Sequence, residues 1–215
     1  MVCILLLVCL CSCSSKDKEK AYKAEGGAQA FEQYNGKPVT ISSSIKKFAT
    51  KDLSSSYRKA ITAAVKKLNA TSSQINVIVD ETKNTGDYYV GQYNSAETPY
   101  YKAEKKSKTF DKTKINSSYI VKSSAYAFTS YTPHSRDWAY IFFNTNVMDS
   151  CSENVKLMFA LHELGHVIGF IDFTPDTYVY RYDATIMKCD YEKGMAILTD
   201  YTEFDKQCIK DVYGK

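Results

Sequence analysis

The segment HELGHVIGFID, from His162 to Asp172, constrains this chain more than any other feature of its 215 residues. It contains the pattern HExxH, and the whole chain has only three histidines. On a helix, His162 and His166 lie on one face, so both imidazoles can reach a single ion, which is how such a pair binds Zn²⁺. Glu163 is rotated by roughly 100° from His162 and can reach a water beside that ion.

The residues before this motif predict the helix that the spacing requires. Ser150 and Glu153 have the S-x-x-E spacing of a capping box. Five residues then recur at the spacing of a core-facing helix: Val155, Met158, Phe159, His162 and His166. A metal ion would satisfy ring nitrogens whose burial is otherwise costly. The alternative is a buried helix whose histidines are hydrogen-bonded core residues.

Two further residues extend the motif beyond His166. Gly169 can end the helix in a left-handed turn, after which the chain can bring Asp172 back as a third ligand. A carboxylate oxygen is an acceptable zinc ligand. His134, the remaining histidine, lies in a predicted loop, and we expect it to be a surface residue.

The run HExxHxxGxxD resembles the metzincin signature HExxHxxGxxH, with Asp172 in place of the last histidine. Ala184-Thr185-Ile186-Met187 resembles the Met-turn, in which a methionine packs beneath the metal site. Residues 198–214 resemble the helix that ends many metzincin catalytic domains. The chain is also similar to the short bacterial peptidases of the HEIGH type.

This resemblance implies an α/β (α+β) fold with a twisted, mostly parallel sheet, an active-site helix, a Met-turn and a C-terminal helix. It implies one catalytic Zn²⁺ bound by His162, His166 and Asp172, which lowers the pKa of a bound water from 15.7 toward ~7. Glu163 is then the general base in the hydrolysis of a protein or peptide substrate. Tyr191 is a candidate for oxyanion stabilisation, although it is offset from the usual metzincin spacing.

Two other interpretations are open. In a gluzincin-type site the third ligand is a carboxylate on a later helix, here Glu192 or Glu203; Gly169 and the Met-turn oppose this. In the other, the chain is a catalytically silent, metzincin-like surface lipoprotein that serves in binding or adhesion. The intact Glu163 opposes that interpretation, because a binding module needs no general base.

The N-terminal residues predict export. Residues 1–13 are too short an apolar run to cross a bilayer of ~30 Å and have the length of a signal-peptide core. Leu10-Cys11-Ser12-Cys13 resembles a bacterial lipobox with Cys13 as the lipidated residue. We therefore expect a membrane-anchored bacterial lipoprotein at the cell surface or outer membrane. An ordinary cleaved signal peptide is the alternative.

An exported compartment permits a disulfide, and three cysteines follow the signal: Cys151, Cys189 and Cys208. Cys189 could pair with either of the others, and spacing does not decide which.

The rest of the chain divides into a flexible tether over residues 14–45, rich in Lys, Glu, Ser, Gly and Gln, and a metallopeptidase domain over 46–215. Within that domain, periodicity predicts a helix over 54–69 and strands over 74–80, 125–130 and 137–147. A net charge of +4 from dispersed lysines excludes a nucleic-acid footprint, and we expect a monomer.

Overall fold

The computed structural model describes residues 27–84, 86–94, 125–132, 134–173, 185–188 and 195–214. A 3₁₀ turn opens this part of the chain at Gly27–Ala30. The strands are β1 (Gln33–Tyr34), β2 (Lys37–Pro38), β3 (Lys46–Ala49), β4 (Val77–Asp80), β5 (Tyr88–Tyr93), β6 (Ala127–Tyr131) and β7 (Ala139–Asn144). The α-helices are α1 (Ser55–Asn69), α2 (Thr145–Met148), α3 (Glu153–Ile168) and α4 (Glu203–Tyr213).

Helix α1 forms where its periodicity predicts it. Its buried residues recur every three or four positions and are Tyr57, Ala60, Ile61, Ala64, Val65 and Leu68. Lys66 and Lys67 lie in its last turn, where positive charge is favourable for the helix dipole. The apolar face packs against α3, so α1 is a scaffold for the helix that carries the histidines.

The main sheet has the order β4-β3-β5-β7-β6. Its pairings are parallel except that between β6 and β7, which is antiparallel. This mixed α/β architecture with a mostly parallel sheet confirms the predicted fold class. All six residues of β7 are buried, as expected for a strand covered on both faces.

The three predicted strands form with different bounds. The strand predicted over 125–130 is β6 and runs from Ala127 to Tyr131. The strand predicted over 74–80 is shorter and begins at Val77. The strand predicted over 137–147 ends at Asn144, because the Asn144 side chain accepts a hydrogen bond from the Asn146 amide and caps α2.

The two faces of the sheet bury different side chains. One face joins α1 and α3 in the main core. The opposite face carries a mostly aromatic cluster: Ala49, Tyr89, Tyr93, Phe128, Tyr140 and Phe142. Among the described residues, no helix has the length and apolar content needed to cross a bilayer.

Part of the segment predicted as a flexible tether is packed against the rest of the described chain. Residues 27–41, here called the N-terminal strap, pack on the domain and bury Ala30, Phe31, Val39 and Ile41. These few apolar residues are separated by polar ones, so composition alone made the segment look like a tether. Residues 1–26, including Cys13, lie outside the described part.

The disulfide prediction stays open. Cys151 and Cys208 are not joined to each other, and Cys189 lies outside the described residues.

Candidate metal centre and active site

Helix α3 begins two residues later than the predicted capping box would place it. Ser152 is the N-cap, and its side chain accepts a hydrogen bond from the Val155 amide. The hydroxyl of Ser150 instead donates to the carbonyl of Val147. Glu153 lies in the first turn and accepts a hydrogen bond of 2.6 Å from Ser56 on α1.

The five residues predicted to face the core are buried to different degrees along α3. Val155, Met158 and His166 are buried, whereas Phe159 and His162 are half-buried. The C-terminal half is enclosed on most sides, because Ala160, Leu161, Leu164, Val167 and Ile168 are buried as well.

Helix α3 ends at Gly169, which adopts the left-handed conformation with φ of 111°. A Cβ at this position would lie 2.1 Å from the carbonyl oxygen of Val39 in the strap. Glycine is therefore required both for its backbone conformation and for the close approach of a second segment. The turn directs the chain back toward the two histidines.

Three donor atoms converge beyond this turn. The Nε2 atoms of His162 and His166 are 3.2 Å apart. Asp172 Oδ1 lies 3.2 Å from His162 Nε2 and 3.3 Å from His166 Nε2. Ligands at 2.0–2.1 Å from a tetrahedral ion are about 3.3–3.4 Å apart, so these three atoms have the spacing of one face of a zinc site.

The opposite ring nitrogens are held by backbone carbonyls. His162 Nδ1 lies 2.9 Å from Ile186 O, and His166 Nδ1 lies 3.0 Å from Phe170 O. A carbonyl can only accept, so each Nδ1 carries a proton and, in a neutral ring, Nε2 presents a lone pair. Asp172 Oδ1 is buried among these lone pairs. A bound cation, or an additional proton, is needed to satisfy the group, and a metal ion fits it.

His162 and Asp172 shift each other's pKa. Burial opposes the charged form of His162. In that form, however, Nε2 can donate a hydrogen bond to Asp172, and this bond and the nearby carboxylates outweigh burial and raise the pKa of His162 to about 9. Burial alone would raise the pKa of Asp172, but the two imidazoles hold it well below its usual range.

Glu163 is buried beside this group. Its Oε2 accepts a hydrogen bond of 2.6 Å from the hydroxyl of Thr129 on β6. Burial raises the pKa of Glu163, while the charges of His162 and His166 and the Thr129 hydrogen bond oppose that rise. A carboxyl group with a raised pKa is better matched to proton transfer near neutral pH than an ordinary glutamate.

Met187 lies beneath α3 and is fully buried. A Cβ at Gly165 would lie 2.3 Å from the Met187 sulfur, so the glycine within HELGH makes room for the methionine. The carbonyl of Met187 accepts a hydrogen bond of 2.7 Å from the Phe173 amide. The segment therefore contacts both α3 and the loop that carries Asp172.

Asp205 connects that segment to α4. Its carboxylate accepts hydrogen bonds from the Thr185 hydroxyl at 2.6 Å and the Ile186 amide at 3.0 Å. The same carboxylate forms a capping box with Thr202. Asp205 thereby fixes the carbonyl that orients His162.

Sequence reasoning missed Thr129, Gly165 and Asp205. The spacing Thr202-x-x-Asp205 does signal a helix start, and Thr129 interrupts an apolar face of its strand. Neither signal shows which distant group the side chain contacts.

Other predicted site residues lie elsewhere. The Glu203 side chain is 93% exposed and bonded to Lys206, so it is not the third member of the group. His134 is half-exposed and lies 3.2 Å from Glu32, as expected for a surface residue. Tyr191 and Glu192 lie outside the described residues.

No family model and no curated protein matches the chain. Among solved structures, the structure of this chain is similar to that of myroilysin. The two share 12% sequence identity, the match covers 81% of this chain and 94% of myroilysin's, and the TM-score is 0.47. A similarity this distant assigns no activity to this chain.

Proposed function

We propose that this protein is a zinc-dependent endopeptidase, exported and anchored to a bacterial membrane through a lipid on Cys13. The observation that carries the proposal is the triangle of His162, His166 and Asp172 donor atoms, 3.2–3.3 Å apart, with Glu163 buried beside it. Three protein ligands leave one position of a tetrahedral ion open, which distinguishes catalytic from structural zinc sites.

The chain's own residues have distinct roles in this proposal. His162 and His166 are fixed as Nδ1–H tautomers and present Nε2 to the ion, and Asp172 adds a negative charge. When bound, Zn²⁺ supplies Lewis acidity and lowers the pKa of water in the open position toward ~7. Glu163 takes a proton from the attacking water and then delivers it to the nitrogen of the departing amine.

The test of the proposal combines metal content with activity. We expect the purified protein to bind one Zn²⁺ per chain and to hydrolyse a mixed peptide library, and we expect a chelator to abolish the hydrolysis. Asp172→Ala should lose zinc and activity. Glu203→Ala is the matched control, since it removes an exposed carboxylate and should retain both.

Two results would contradict the proposal. Full zinc retention in Asp172→Ala would remove Asp172 from the ligand set. Bound zinc without hydrolysis of any peptide would favour the binding or adhesion role.

The anchoring part of the proposal has a separate test. Cys13→Ala should release the protein from the membrane fraction or leave its signal uncleaved. Unchanged fractionation and processing would indicate a secreted enzyme without a lipid anchor.

A further inference from the structure

Strand β6 carries a polar side chain where its apolar pattern predicts a hydrophobic one. Residues 127, 129 and 131 face α3, and their register partners on β7 are Phe143, Ile141 and Ala139. Those partners belong to the main hydrophobic core. Thr129 is only 1% exposed within this layer. A buried hydroxyl in such a place needs a hydrogen-bond partner.

That partner is the carboxylate of Glu163. Thr129 Oγ1 lies 2.6 Å from Glu163 Oε2 and 3.1 Å from the Glu163 carbonyl oxygen. A hydroxyl has one proton to donate, and a charged oxygen at the shorter distance is the stronger acceptor. The proton therefore lies toward Oε2.

The hydrogen bond makes the two oxygens of Glu163 different. Oε2 is held by Thr129, whereas no side-chain or backbone donor among the described residues reaches Oε1. Oε2 can accept from Thr129 whether the carboxyl is ionised or carries a proton on Oε1. The contact can thus persist while a proton arrives and leaves.

We propose that Thr129 is a positioning residue for Glu163, holding Oε2 so that Oε1 takes the proton from the attacking water and returns it to the amine nitrogen. This role rests on the proposed function, because it needs Glu163 to be the general base. Thr129 suits the task, because its β-branched side chain has few χ1 options and its backbone is paired with Ile141 in the sheet.

A merely structural role for Thr129 makes a different prediction. If the hydroxyl only satisfied a buried carboxylate, its removal would lower the thermal midpoint and leave kcat close to that of the wild type. If it positions the base, its removal lowers kcat while KM and zinc content stay close to the wild type, since the Thr129 hydroxyl is hydrogen-bonded to Glu163 and to none of the three proposed ligands.

The experiment compares Thr129→Val, which keeps the shape and removes the hydroxyl, with Thr129→Ser, which keeps the hydroxyl. We expect kcat to fall about 10- to 100-fold in Thr129→Val, the size of loss that small misplacement of a reacting group produces. Thr129→Ser should recover kcat to within a few-fold of wild type. Thr129→Ala replaces Thr129→Val if the latter does not fold.

Ser130→Ala is the matched control. Ser130 is a buried hydroxyl on the same strand, but it pairs with Tyr140 on the opposite face of the sheet. We expect the kcat and zinc stoichiometry of Ser130→Ala to equal those of the wild type.

A double variant with Glu163→Gln provides the decisive comparison. If Thr129 acts through Glu163, adding Thr129→Val to Glu163→Gln should cause no further loss of kcat. Three results would each overturn the positioning role. The first is a double variant in which the kcat losses of the two single variants multiply. The others are a Thr129→Val variant with wild-type kcat and a Thr129→Ser variant as impaired as Thr129→Val. In those cases an inactive Glu163→Gln would still support the proposed function, whereas an active Glu163→Gln overturns both.

Discussion

The two imidazoles of the candidate metal site come from adjacent turns of one helix, yet they are held by different parts of the chain. His166 is oriented by Phe170, four residues later, through the turn at Gly169. His162 is oriented by Ile186, which lies 24 residues away and depends on Asp205 in α4. The first support is local and the second is tertiary, although the sequence motif treats the two histidines alike.

The local support is itself reinforced from a distance. Phe31 stacks on Phe170 with ring centroids 4.4 Å apart, and the Ile171 amide donates to the carbonyl of Ala30 at 3.0 Å. Buried Arg136 pairs with Glu32 at 2.7 Å and donates to the His166 carbonyl at 3.3 Å. The N-terminal strap therefore supports the candidate metal site, and we expect its removal to damage that site.

The largest effect on activity should come from Glu163. It lies between the two histidines in sequence, but it orients neither imidazole. Glu163→Gln keeps the shape of the side chain and removes the base, so kcat should fall by about 10²- to 10⁴-fold. Zinc content, measured by metal analysis, should stay at the wild-type level. Hydrolysis within a few-fold of wild type, with zinc still bound, would contradict the mechanism.

The next effect concerns the protonation of His162 in metal-free protein and its contribution to stability. A histidine whose pKa is raised on folding contributes stability below its unfolded pKa of about 6.5 and loses that contribution as pH rises through the folded value. For His162 the folded pKa is about 9. In chelator-treated protein, the free energy of unfolding should therefore fall between pH 6.5 and 9, by up to about 3 kcal/mol.

Thermal or denaturant unfolding across this pH range measures the fall. His162→Gln, which removes the titrating group, is the control and should show a flatter profile. An equal fall in the variant would assign the effect to another residue.

The local support can be broken at Gly169. In Gly169→Ala the left-handed backbone is strained and the new Cβ meets the Val39 carbonyl, so the turn and Phe170 must move. Loss of an outer-shell partner costs roughly 10- to 100-fold in metal affinity, and we expect a loss of this size in a zinc competition titration.

Gly36→Ala separates the effect of backbone strain from that of the contact with the Val39 carbonyl. Gly36 also has a positive φ of 72°, but a Cβ there would meet nothing within 4 Å. It should lower stability modestly and leave zinc affinity unchanged. Equal losses of affinity in the two variants would show that the Val39 contact has no part in the effect.

The same contrast explains what the sequence could predict. The spacing of His162, Glu163 and His166 follows from the helical repeat, and Gly169 follows from the conformation that ends a helix, so both are local properties. The strap was missed because its buried residues, such as Phe31 and Val39, are isolated in a polar segment. Asp205 and Thr129 were missed because their partners are distant in sequence, and only the folded chain brings them together.

The tertiary support of His162 can be weakened at Asp205, and here we expect the smallest of the four effects. In Asp205→Asn one carboxylate oxygen becomes an amide nitrogen, which cannot accept hydrogen bonds. The variant therefore cannot retain all of the bonds from Thr185, Ile186 and Thr202. The change reaches the metal only through the Ile186 carbonyl, so zinc affinity should fall by about 10-fold, the lower end of the range for outer-shell partners.

Glu203→Gln is the matched control for this variant. It removes a negative charge from the same first turn of α4, but Glu203 is exposed and bonded to Lys206 rather than to the Ile186 segment. Any loss shared by both variants reports the weakened start of α4, while a loss of zinc affinity confined to Asp205→Asn reports the support of His162. If Asp205→Asn lowers the thermal midpoint but binds zinc as tightly as the wild type, the Ile186 carbonyl is held without Asp205, and the two imidazoles differ less in their supports than their contacts indicate.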